Sequence, residues 1–416
     1  MNTSNVYAGA SSTIKIALIG CGGRGTGAAI QALNTGKDVK LVAMADVFRD
    51  QLDASYQNLM TNEDIKDQVE VPENNKFSGF DAYKQATALA DVVVLAAPPD
   101  FRPIHLEEAV RLDKHIFMEK PVAVDAPGVR SVLDSIKKAQ EKNLNVVVGL
   151  QRRFLQTYTG GLVDKLHNGA IGEIISAQCY WKIGFIREPQ RIAGQSEMEY
   201  QLRNWYHFTW LSGDHIEDTH IHNLDVVNWV MQSYPVRAQG MGGREIDYAK
   251  DREGVIYDHH FVEFEYPNGV LVNSQALQIN NCHVKLGEHF IGTKGRAETS
   301  YDTASIKDYK GNELHTHTQR QSRQAPNAQQ VEHDVLFDHI RKGTVKNDAE
   351  YGAYSTMTSI LGRMATYSGQ VINWDDAINS NVSLGPQAYS FDAQPPVLPD
   401  ADGRYEFPVP GKTSVL

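Results

Sequence analysis

A short apolar run that ends in closely spaced glycines constrains the fold of this chain more than any other feature. Residues 14–19 form the run, and Gly20, Gly22 and Gly25 follow it in the spacing GxGxxG. A run of this length that stops at glycine predicts a buried parallel strand, then a tight turn, then a helix. The first glycine allows the reversal, the second lets the backbone approach a ligand, and the third lets the helix pack on the strand. The helix amides would face a pyrophosphate, so the pattern predicts a dinucleotide-binding βαβ unit.

A second apolar run supports this prediction and bears on the choice of cofactor. It covers residues 39–45 and ends in Asp46, which lies 21 residues after Gly25. An acidic residue about 20 residues after the glycines is typical of the carboxylate that binds the ribose hydroxyls. Asp46 favours NAD, because its charge would repel the 2′-phosphate of NADP. Arg49 keeps NADP as the less favoured alternative.

Length and charge limit the kinds of protein that this chain can be. A chain of 416 residues predicts two or three domains. Its net charge of −11 argues against nucleic-acid binding, which depends on clustered Lys and Arg. No run approaches the about 18–20 apolar residues that span a bilayer, so we expect a soluble protein without a membrane contact. Residues 1–12 form a flexible polar leader without the parts of a signal peptide, which fits a cytoplasmic protein, or a periplasmic one whose export signal has been removed.

The first part of the chain, residues 13–150, alternates apolar runs with helical stretches. This alternation predicts an α/β fold with a doubly wound parallel sheet of the Rossmann type. The expected strands are residues 14–19, 39–45, 91–97, 115–118 and 145–148. Pro98 and Pro99 follow one strand, and Glu119 and Lys120 follow the next. These residues should therefore lie at the carboxyl edge of the sheet, where ligands bind.

Residues 151–375 have a different pattern, with longer strand candidates and a strong turn signal. The expected strands are residues 173–185, 257–266, 270–279 and 283–291, and the expected helices are about 327–341 and 351–370. Pro-Asn-Gly at 267–269 predicts a hairpin turn. We therefore expect a second α/β domain with a large, open, mostly antiparallel sheet. Residues 376–416 are rich in proline and predict an extended C-terminal arm that packs along a surface.

Lys120 is the first candidate for catalysis. The simplest interpretation of Glu119-Lys120-Pro121 is a solvated ion pair followed by a proline that starts a helix. A lysine beside the expected nicotinamide can instead bind a substrate hydroxyl and stabilise the negative charge that develops on it. The predicted position at the sheet edge favours the catalytic role.

A segment rich in histidine and acidic residues, 213–225, is the second candidate. On a helix, Asp218, His222 and Asp225 would share one face, and His215 would join them if the first turn includes it. Asp218 and His222 are four residues apart, so the carboxylate can orient the imidazole. A histidine held in this way suits a general base that takes the proton from a secondary alcohol.

The same segment also fits a helix cap or a metal site. Asp214 and Glu217 have the spacing of a capping box, which would only start a helix. Asp218, His220 and His222 are residue types that bind metals, but on a helix His220 would point away from His222. We expect no metal site unless the local backbone is not helical.

Aromatic and polar side chains just before this segment suggest what kind of molecule binds. Most of the tryptophans and tyrosines should belong to the core. Trp205 and Tyr206 directly follow Arg203 and Asn204. Together with His215, this set suits the stacking and hydrogen bonding of a sugar or polyol ring.

The motifs, taken in order, resemble the Gfo/Idh/MocA family, which includes glucose-fructose oxidoreductase and inositol dehydrogenase. The similarity covers about residues 14–375. Besides the glycine loop and Asp46, it rests on Pro98-Pro99 with His105, Glu119-Lys120-Pro121, Gln151-Arg152-Arg153-Phe154, Gly169-Ala170-Ile171-Gly172, Asp218-x-x-x-His222 and Gly292-Thr293-Lys294-Gly295-Arg296. The resemblance implies that Lys120, Asp218 and His222 act on the substrate. It also implies a homodimer or homotetramer formed through the sheet of the second domain.

The resemblance further implies an NAD(P)-dependent dehydrogenase of a sugar or polyol. The implied cofactor-binding residues lie on the glycine loop, at the strand ends and at the domain junction: Gly20, Gly22, Gly23, Arg24, Gly25, Asp46, Pro98, Pro99, His105, Glu119, Lys120 and Arg152. His220 is a departure, because the family commonly has glycine there, and it leaves the substrate and the outcome of the reaction open. The alternatives are a glycosidase or lyase that retains NAD and oxidises a sugar transiently, and a non-catalytic regulator that senses the nucleotide.

Overall fold

The chain forms two compact units. A computed structural model describes residues 13–185, 191–245, 254–318 and 327–416, and the predicted leader, residues 1–12, lies outside the described residues. The first unit contains residues up to 123, 130–151 and 326–353, and the second contains residues 124–129, 152–325 and 354–416. The division between residues 151 and 152 lies close to the predicted boundary at residue 150. Later in the chain the units differ from the predicted ones, because 326–353 belongs to the first unit and 376–416 is part of the second.

A six-stranded parallel sheet forms the centre of the first unit in its described part. Its strands are β1 (Ile14–Ile19), β2 (Val39–Asp46), β3 (Lys76–Ser78), β4 (Val92–Leu95), β5 (His115–Met118) and β6 (Val146–Val148). Their order, β3-β2-β1-β4-β5-β6, is that of a dinucleotide-binding Rossmann sheet. Every residue of β4 is buried, as expected for a strand with helices on both faces. The predicted doubly wound sheet is confirmed, although β3, with three residues, is too short to show a pattern in the sequence.

Helices connect the strands in both units. In chain order they are α1 (Gly23–Asn34), α2 (Arg49–Thr61), α3 (Ala82–Ala88), α4 (Arg102–Arg111), α5 (Ala126–Glu141), α6 (Asp164–His167), α7 (Glu197–Arg203), α8 (Thr209–Ser212), α9 (His215–Asp218), α10 (Ile221–Met231), α11 (Ala328–Lys342), α12 (Glu350–Ser368) and α13 (Trp374–Ile378). The helices predicted at 327–341 and 351–370 correspond to α11 and α12. Within the described ranges, no helix combines the length and the apolar character that crossing a membrane requires.

A nine-stranded mixed sheet forms the centre of the second unit in its described part. Its strands are β7 (Ile174–Ile183), β8 (Arg237–Gly243), β9 (His259–Glu265), β10 (Leu271–Gln278), β11 (Lys285–Gly292), β12 (Gly295–Thr299), β13 (Thr303–Asp308), β14 (Glu313–Thr318) and β15 (Ile372–Asn373). The order is β14-β13-β12-β11-β7-β10-β9-β8-β15, and only the pair β7 and β10 is parallel. The mostly antiparallel sheet is therefore confirmed. The predicted hairpin turn joins β9 to β10, where Gly269 has a φ of +78°.

The two faces of this sheet differ in burial. On β9, Val262 and Phe264 are completely buried, whereas Phe261, which directly precedes Val262, is 38% exposed. This alternation is expected when helices cover one face. The covered face also carries buried polar side chains, among them His260 on β9 and Glu288 on β11. These polar residues take part in the site described below.

The C-terminal residues pack on the second unit without forming a separate body. Gln201 Nε2 on α7 donates to Val397 O over 2.7 Å, and the Tyr257 hydroxyl donates to Pro408 O over 2.7 Å. The Tyr405 side chain is largely buried, and its hydroxyl donates to Glu197. Side chains of the second unit thus hold this segment through its backbone carbonyls and through one buried tyrosine.

Candidate active site

The glycine loop between β1 and α1 has the shape of a cradle for a diphosphate. Gly20 has a φ of +93°, and a Cβ there would lie 2.3 Å from Ala97 N. A Cβ on Gly25 would lie 1.9 Å from Gly20 O. At Gly22 and Gly23, by contrast, a Cβ would have no described atom within 4 Å. The loop is therefore packed tightly on the protein side and open on the side where a ligand would approach, which fits a dinucleotide.

Alanine substitutions should separate these two kinds of glycine. Gly25→Ala forces a methyl group against a backbone carbonyl, and we expect it to lower the free energy of unfolding by about 2–3 kcal/mol. Gly23→Ala has open space and should leave stability within about 0.5 kcal/mol. Urea unfolding of both variants measures the difference. Equal midpoints for the two variants would contradict the packing described for Gly25.

Asp46 lies at the end of β2, next to the glycine loop. Its Oδ2 accepts a hydrogen bond from Cys21 N over 2.6 Å, and its Oδ1 accepts one from Phe48 N over 2.9 Å. Two backbone amides thus orient the carboxylate. Arg49 contacts Glu73 and donates to Asp53 over 2.9 Å. The residue that could bind the 2′-phosphate of NADP is therefore already paired with two carboxylates.

Arg24 and Glu119 form an ion pair in the first unit. The Glu119 side chain is almost completely buried, and Arg24 also donates to Gln31 over 2.9 Å. Burial acts to raise the pKa of Glu119, but the charge and hydrogen bond of Arg24, together with the charges of Lys120 and Arg102, outweigh it, and the pKa lies below its usual value. Burial and the nearby Glu119 raise the pKa of Glu332, which lies 3.7 Å from Arg24. The arrangement holds one ionised carboxylate beside the start of α1.

Lys120 follows β5, and buried contacts shape the backbone around it. Arg102 Nε donates to Pro121 O over 2.9 Å, and its Nη1 donates to Leu95 O over 3.1 Å. These bonds join the carboxyl end of β4 to the segment after β5. Lys120 itself is half-buried. The structure thus places Lys120 at the carboxyl edge of the sheet, as the sequence predicts.

Two further predicted cofactor residues follow β4, and a third lies on α4. Pro98 is half-buried, and Pro99 is buried. The His105 ring packs 4.3 Å from the Tyr83 ring and 5.9 Å from the Phe101 ring, measured between centroids. Burial lowers the pKa of His105 to about 3, so the imidazole is neutral. Its contacts support the loop after β4, and its predicted contact with the cofactor stays a prediction.

The segment around Asp218 and His222 is not one continuous helix. α9 ends at Asp218, α10 begins at Ile221, and His220 N donates to His215 O over 3.2 Å, five residues back. The sequence argument that put Asp218 and His222 one turn apart on a single helix is therefore wrong. Thr219 Oγ1 donates to His215 O over 2.7 Å, and this side-chain bond competes with the regular helical pattern.

The capping box predicted for this segment is also absent among the described residues. Asp214 caps α9 by accepting from His215 N, and Gly213 before it has a φ of +74°. Glu217 turns instead to Arg363, whose Nη1 lies 2.6 Å from Glu217 Oε1. Burial raises the pKa of Glu217, and the charge of Arg363 acts against this rise. The acidic residue assigned to a helix start thus belongs to a buried ion pair.

His220 and His222 have different surroundings. His220 Nε2 lies 2.7 Å from Ser274 Oγ and 3.6 Å from Cys179 Sγ, and burial lowers the pKa of His220 to about 3. The His222 ring is stacked 6.0 Å from the Trp181 ring. The alternative metal set that joins His220 and His222 with Asp218 is not brought together. Across the described residues, one group of three has metal-ligand spacing, and its members are Asp214, His215 and His260.

Arg152 lies inside the second unit, and its partner there could not be predicted from the sequence. It forms an ion pair with Glu288, and both side chains are at most 2% exposed. Asn223 Nδ2 donates to Glu288 Oε1 over 2.6 Å, and Thr299 Oγ1 also donates to this carboxylate. Glu288 was missed from the sequence, where the only signal is a carboxylate within a strand candidate. The Arg152 guanidinium is paired with Glu288, and the predicted contact of Arg152 with the cofactor stays a prediction.

Asp225, predicted on the catalytic helix face, has a structural partner as well. Arg153 Nη2 and Nε donate to it over 2.8 and 2.9 Å, and Ser355 Oγ donates to it over 2.8 Å. These bonds anchor α10 to residues before and after it in the chain. Asp225 therefore positions α10, which carries His222.

The predicted substrate residues are buried to different extents. Asn204 Nδ2 donates to Tyr200 O over 2.9 Å, and the Tyr206 hydroxyl accepts from Gln278. Arg203 and Trp205 are half-buried, and Arg203 donates to Glu199 over 2.9 Å. His215 is completely buried, so we do not assign it to a substrate. The residues of this set with exposed surface are therefore Arg203 and Trp205.

Both units match models of one protein family. Residues 14–149 match the model described as "Oxidoreductase family, NAD-binding Rossmann fold", and residues 162–298 match the model described as "GFO/IDH/MocA C-terminal domain". The first match contains the glycine loop, Asp46 and Lys120. The second contains Asp218 and His222.

Curated relatives are about a quarter identical to this chain over the parts that align. The 2,7-anhydro-N-acetylneuraminate hydratase of Escherichia coli is 26% identical over 50% of this chain and 51% of its own length. The inositol 2-dehydrogenase of Rhizobium meliloti is 26% identical over 57% of this chain and 61% of its own length. The chain thus spans between half and two thirds of the length of these relatives.

Solved structures extend the similarity of the fold to most of the chain. The scyllo-inositol dehydrogenase of Lactobacillus casei, with NAD(H) and scyllo-inositol, has a TM-score of 0.63 at 20% identity, over 88% of this chain and 100% of its own. The aldose-aldose oxidoreductase of Caulobacter crescentus has a TM-score of 0.65 at 18% identity, over 87% of this chain and 99% of its own. At these identities the similarity shows the fold.

Proposed function

The chain belongs to the Gfo/Idh/MocA oxidoreductase family, and from this premise we propose that it transfers a hydride between a secondary alcohol of a polyol or sugar and a nicotinamide cofactor. The observation that carries the proposal is the glycine cradle, with oriented Asp46 and with Lys120 at the carboxyl edge of the same sheet. A diphosphate cradle alone would also suit a regulator that only senses the nucleotide. Lys120 supplies a cation where a reacting oxygen would need one.

NAD is the proposed cofactor. The backbone of Gly22 and Gly23 and the start of α1 would hold the diphosphate, and Asp46 would accept hydrogen bonds from the ribose hydroxyls. The cofactor, when bound, supplies the nicotinamide ring that takes or returns the hydride. The ion pairs of Arg49 with Asp53 and Glu73 favour NAD, because they reduce its availability to a 2′-phosphate.

Removing the Asp46 carboxylate should change the cofactor preference. We expect Asp46→Ala to weaken NAD binding by at least about tenfold, because hydrogen bonds to a charged group contribute about 1.5–3 kcal/mol. NADP binding should weaken less, since the repulsion of its 2′-phosphate is also removed. Titration calorimetry with both nucleotides measures this, and Glu63→Ala, which removes an exposed carboxylate that pairs with Lys66, is the control. A variant that keeps its affinity for NAD would refute the role of Asp46.

The proposed chemistry uses Lys120, His222 and Asp218. Lys120 binds the reacting oxygen and stabilises the charge that develops on it as the hydride leaves. His222 accepts the hydroxyl proton, and Asp218 supports it in this role. Stacking of His222 on Trp181 and anchoring of α10 by Asp225 fix the position of the imidazole. In the reverse direction, the same groups return the proton to a carbonyl oxygen.

A cyclic polyol such as an inositol, or a related sugar, is the proposed substrate. The inositol 2-dehydrogenase of Rhizobium meliloti and the inositol-bound structure from Lactobacillus casei support this class. Trp205 and Arg203 offer a ring for stacking and a cation for hydroxyl groups. The open face of the second unit's sheet, with Met241 69% exposed and Leu271 41% exposed, supports the proposed homodimer or homotetramer.

A substrate screen tests the proposed reaction. Purified protein is incubated with NAD and a panel of inositols, monosaccharides and glycosides, and NADH is followed by absorbance. We expect NADH to form in proportion to the product from at least one polyol or sugar. Product without accumulating NADH would favour the alternative that retains NAD. Binding of NAD without turnover of any compound would favour the regulator.

A further inference from the structure

A buried cluster of one carboxylate and two imidazoles lies in the second unit, and the proposed reaction makes no use of it. Asp214 and His215 lie at the start of α9, and His260 lies on the covered face of β9. All three side chains are completely buried. One ligand atom of each lies within 4.8 Å of the other two. We propose that these three residues bind one divalent transition-metal ion of the zinc class.

The hydrogen bonds around His260 show which ring nitrogen is available to a metal. Thr366 Oγ1 donates to Arg363 O over 3.0 Å. A hydroxyl has one proton, so the same oxygen must accept from His260 Nδ1, which lies 2.9 Å away. Nδ1 therefore carries a proton, and Nε2 is the nitrogen that faces the carboxylate. Coordination through Nε2, with Nδ1–H held by a neighbour, is the usual arrangement of a metal-binding histidine.

The contact between His260 and Asp214 is close but is not a hydrogen bond. His260 Nε2 lies 3.3 Å from Asp214 Oδ1, yet the direction is outside hydrogen-bond geometry, and no other described atom pairs with Nε2. A protonated His260 paired with Asp214 is the simplest alternative to a metal. That pair would point an N–H at Oδ1, which the geometry does not show. An ion beside both atoms would be ligated by each of them.

His215 adds a second, independent observation. Neither of its ring nitrogens has a hydrogen-bond partner among the described residues, although the side chain is completely buried. Its ring lies 4.9 Å from the ring of His260, and its Nε2 lies 4.0 Å from Asp214 Oδ1. A buried polar group without a partner loses its hydrogen bonds to water and gains nothing in return, so it destabilises the folded state. The ion pair between Asp214 and His260 would leave this cost in place, whereas a metal bound through His215 would remove it.

Neighbouring residues hold the carboxylate in the orientation that a metal would need. Asp214 Oδ2 accepts from Tyr257 N over 2.9 Å and from the Tyr367 hydroxyl. Oδ1 accepts from the amide of His215 and faces both imidazoles. Asp214 also has φ +80° and ψ 164°, a strained conformation for a residue other than glycine. The fold maintains this strain at the residue that would supply the charged ligand.

The ligand types and their spacing indicate the class of metal. Two imidazole nitrogens and one carboxylate oxygen suit zinc and its neighbours, whereas magnesium and calcium prefer oxygen ligands. With metal–ligand distances of about 2.0–2.1 Å, neighbouring ligands of a tetrahedral site lie about 3.4 Å apart. The 3.3 Å between His260 Nε2 and Asp214 Oδ1 matches this spacing. Such an ion would join the start of α9 to β9 and so brace the segment that leads to Asp218 and His222.

Metal analysis of the full chain is the first test. Protein purified without chelators or metal-affinity resins is expected to hold about one equivalent of a transition metal by plasma mass spectrometry. Protein stripped with a chelator should rebind Zn²⁺ in calorimetry, and Co²⁺ should give visible d–d bands typical of nitrogen ligation. Less than about 0.1 equivalent as purified, together with no Zn²⁺ binding to the stripped protein, would overturn the proposal.

Variants then locate the site. His215→Gln and His260→Gln should each weaken Zn²⁺ binding at least hundredfold. His259→Gln, at the neighbouring and partly exposed position on β9, should change it less than threefold. Thr366→Val keeps all three ligands and removes the hydroxyl that bonds to His260 Nδ1 and to Arg363 O. It serves if a ligand variant fails to fold, and we expect a loss of about 10–100-fold in Zn²⁺ affinity. Zn²⁺ affinity that is unchanged in His260→Gln or in Thr366→Val would refute this assignment.

Discussion

Lys120→Met is expected to lower kcat on the substrate found in the screen by about 10²–10³-fold, with NAD affinity changed less than about threefold. The methionine side chain keeps most of the length of lysine but removes its charge. Without that charge, the hydroxyl oxygen develops negative charge with no cation beside it as the hydride leaves the adjacent carbon. The effect should therefore appear in the chemical step and not in the binding of the cofactor.

Lys114→Met is the matched control for this prediction. Lys114 precedes β5, at the opposite end of the strand from Lys120, so its loss should leave kcat within about twofold. Steady-state kinetics gives kcat for both variants, and calorimetry gives their affinity for NAD. A Lys120→Met variant that keeps more than a third of the original kcat would contradict the proposed role of Lys120 in the reaction. A parallel loss of NAD affinity would assign it to the cofactor instead.

Arg152→Met is expected to lower the free energy of unfolding by about 3–5 kcal/mol, the largest stability effect that we predict. The substitution leaves Glu288 charged and buried, with the bonds from Asn223 and Thr299 as its remaining support. Burial already raises the pKa of Glu288 with Arg152 present, and loss of the cation should raise it further. Urea unfolding without cofactor measures the change.

The destabilisation should depend on pH in a defined direction. The folded-state pKa of Glu288 lies above its unfolded value, so ionisation works against folding. The penalty is absent below the unfolded pKa and grows as the pH rises toward the folded one. The deficit of Arg152→Met should therefore be smallest under acidic conditions and largest at neutral pH.

Two further variants separate the buried pair from a general effect of losing a charge. Arg152→Met combined with Glu288→Met removes both charges and should recover most of the lost stability. Lys342→Met breaks an exposed ion pair with Asp338 on α11 and should change stability by less than about 1 kcal/mol. If Arg152→Met were no more destabilising than Lys342→Met, the ion pair with Glu288 would not carry the stability assigned to it.

Much of the first unit could be predicted because its signals are local. The apolar runs of β1 and β5 have the predicted bounds, and the glycine turn and Asp46 lie where the spacing puts them. Burial on both faces of a parallel sheet imposes continuous apolar runs, and a diphosphate cradle requires glycine at specific positions. The second unit was less predictable, since half-exposed strands such as β12 and β13 carry weaker patterns.

The candidate site shows where local reasoning fails. Helical periodicity placed Asp218 and His222 on one face, but the segment forms two separate helices, α9 and α10, which are interrupted at residues 219 and 220. A periodicity argument assumes that the backbone is regular, and the bonds that Thr219 Oγ1 and His220 N donate to His215 O depart from the regular pattern. Glu217 likewise has the spacing of a cap, and Arg363, far along the chain, decides its role.

By itself, the sequence determined the Rossmann fold of the first unit, the family, and a dinucleotide cradle with Lys120 beyond β5. These depend on residue types at short, fixed spacings, which the chain records directly. Only the tertiary structure decided that Arg152 pairs with Glu288 and that His260 joins Asp214 and His215. Each of these contacts joins a residue on the buried face of one sheet, Glu288 or His260, to residues far away in the chain. Packing and desolvation select such contacts, and neither leaves a periodic signal in a single sequence.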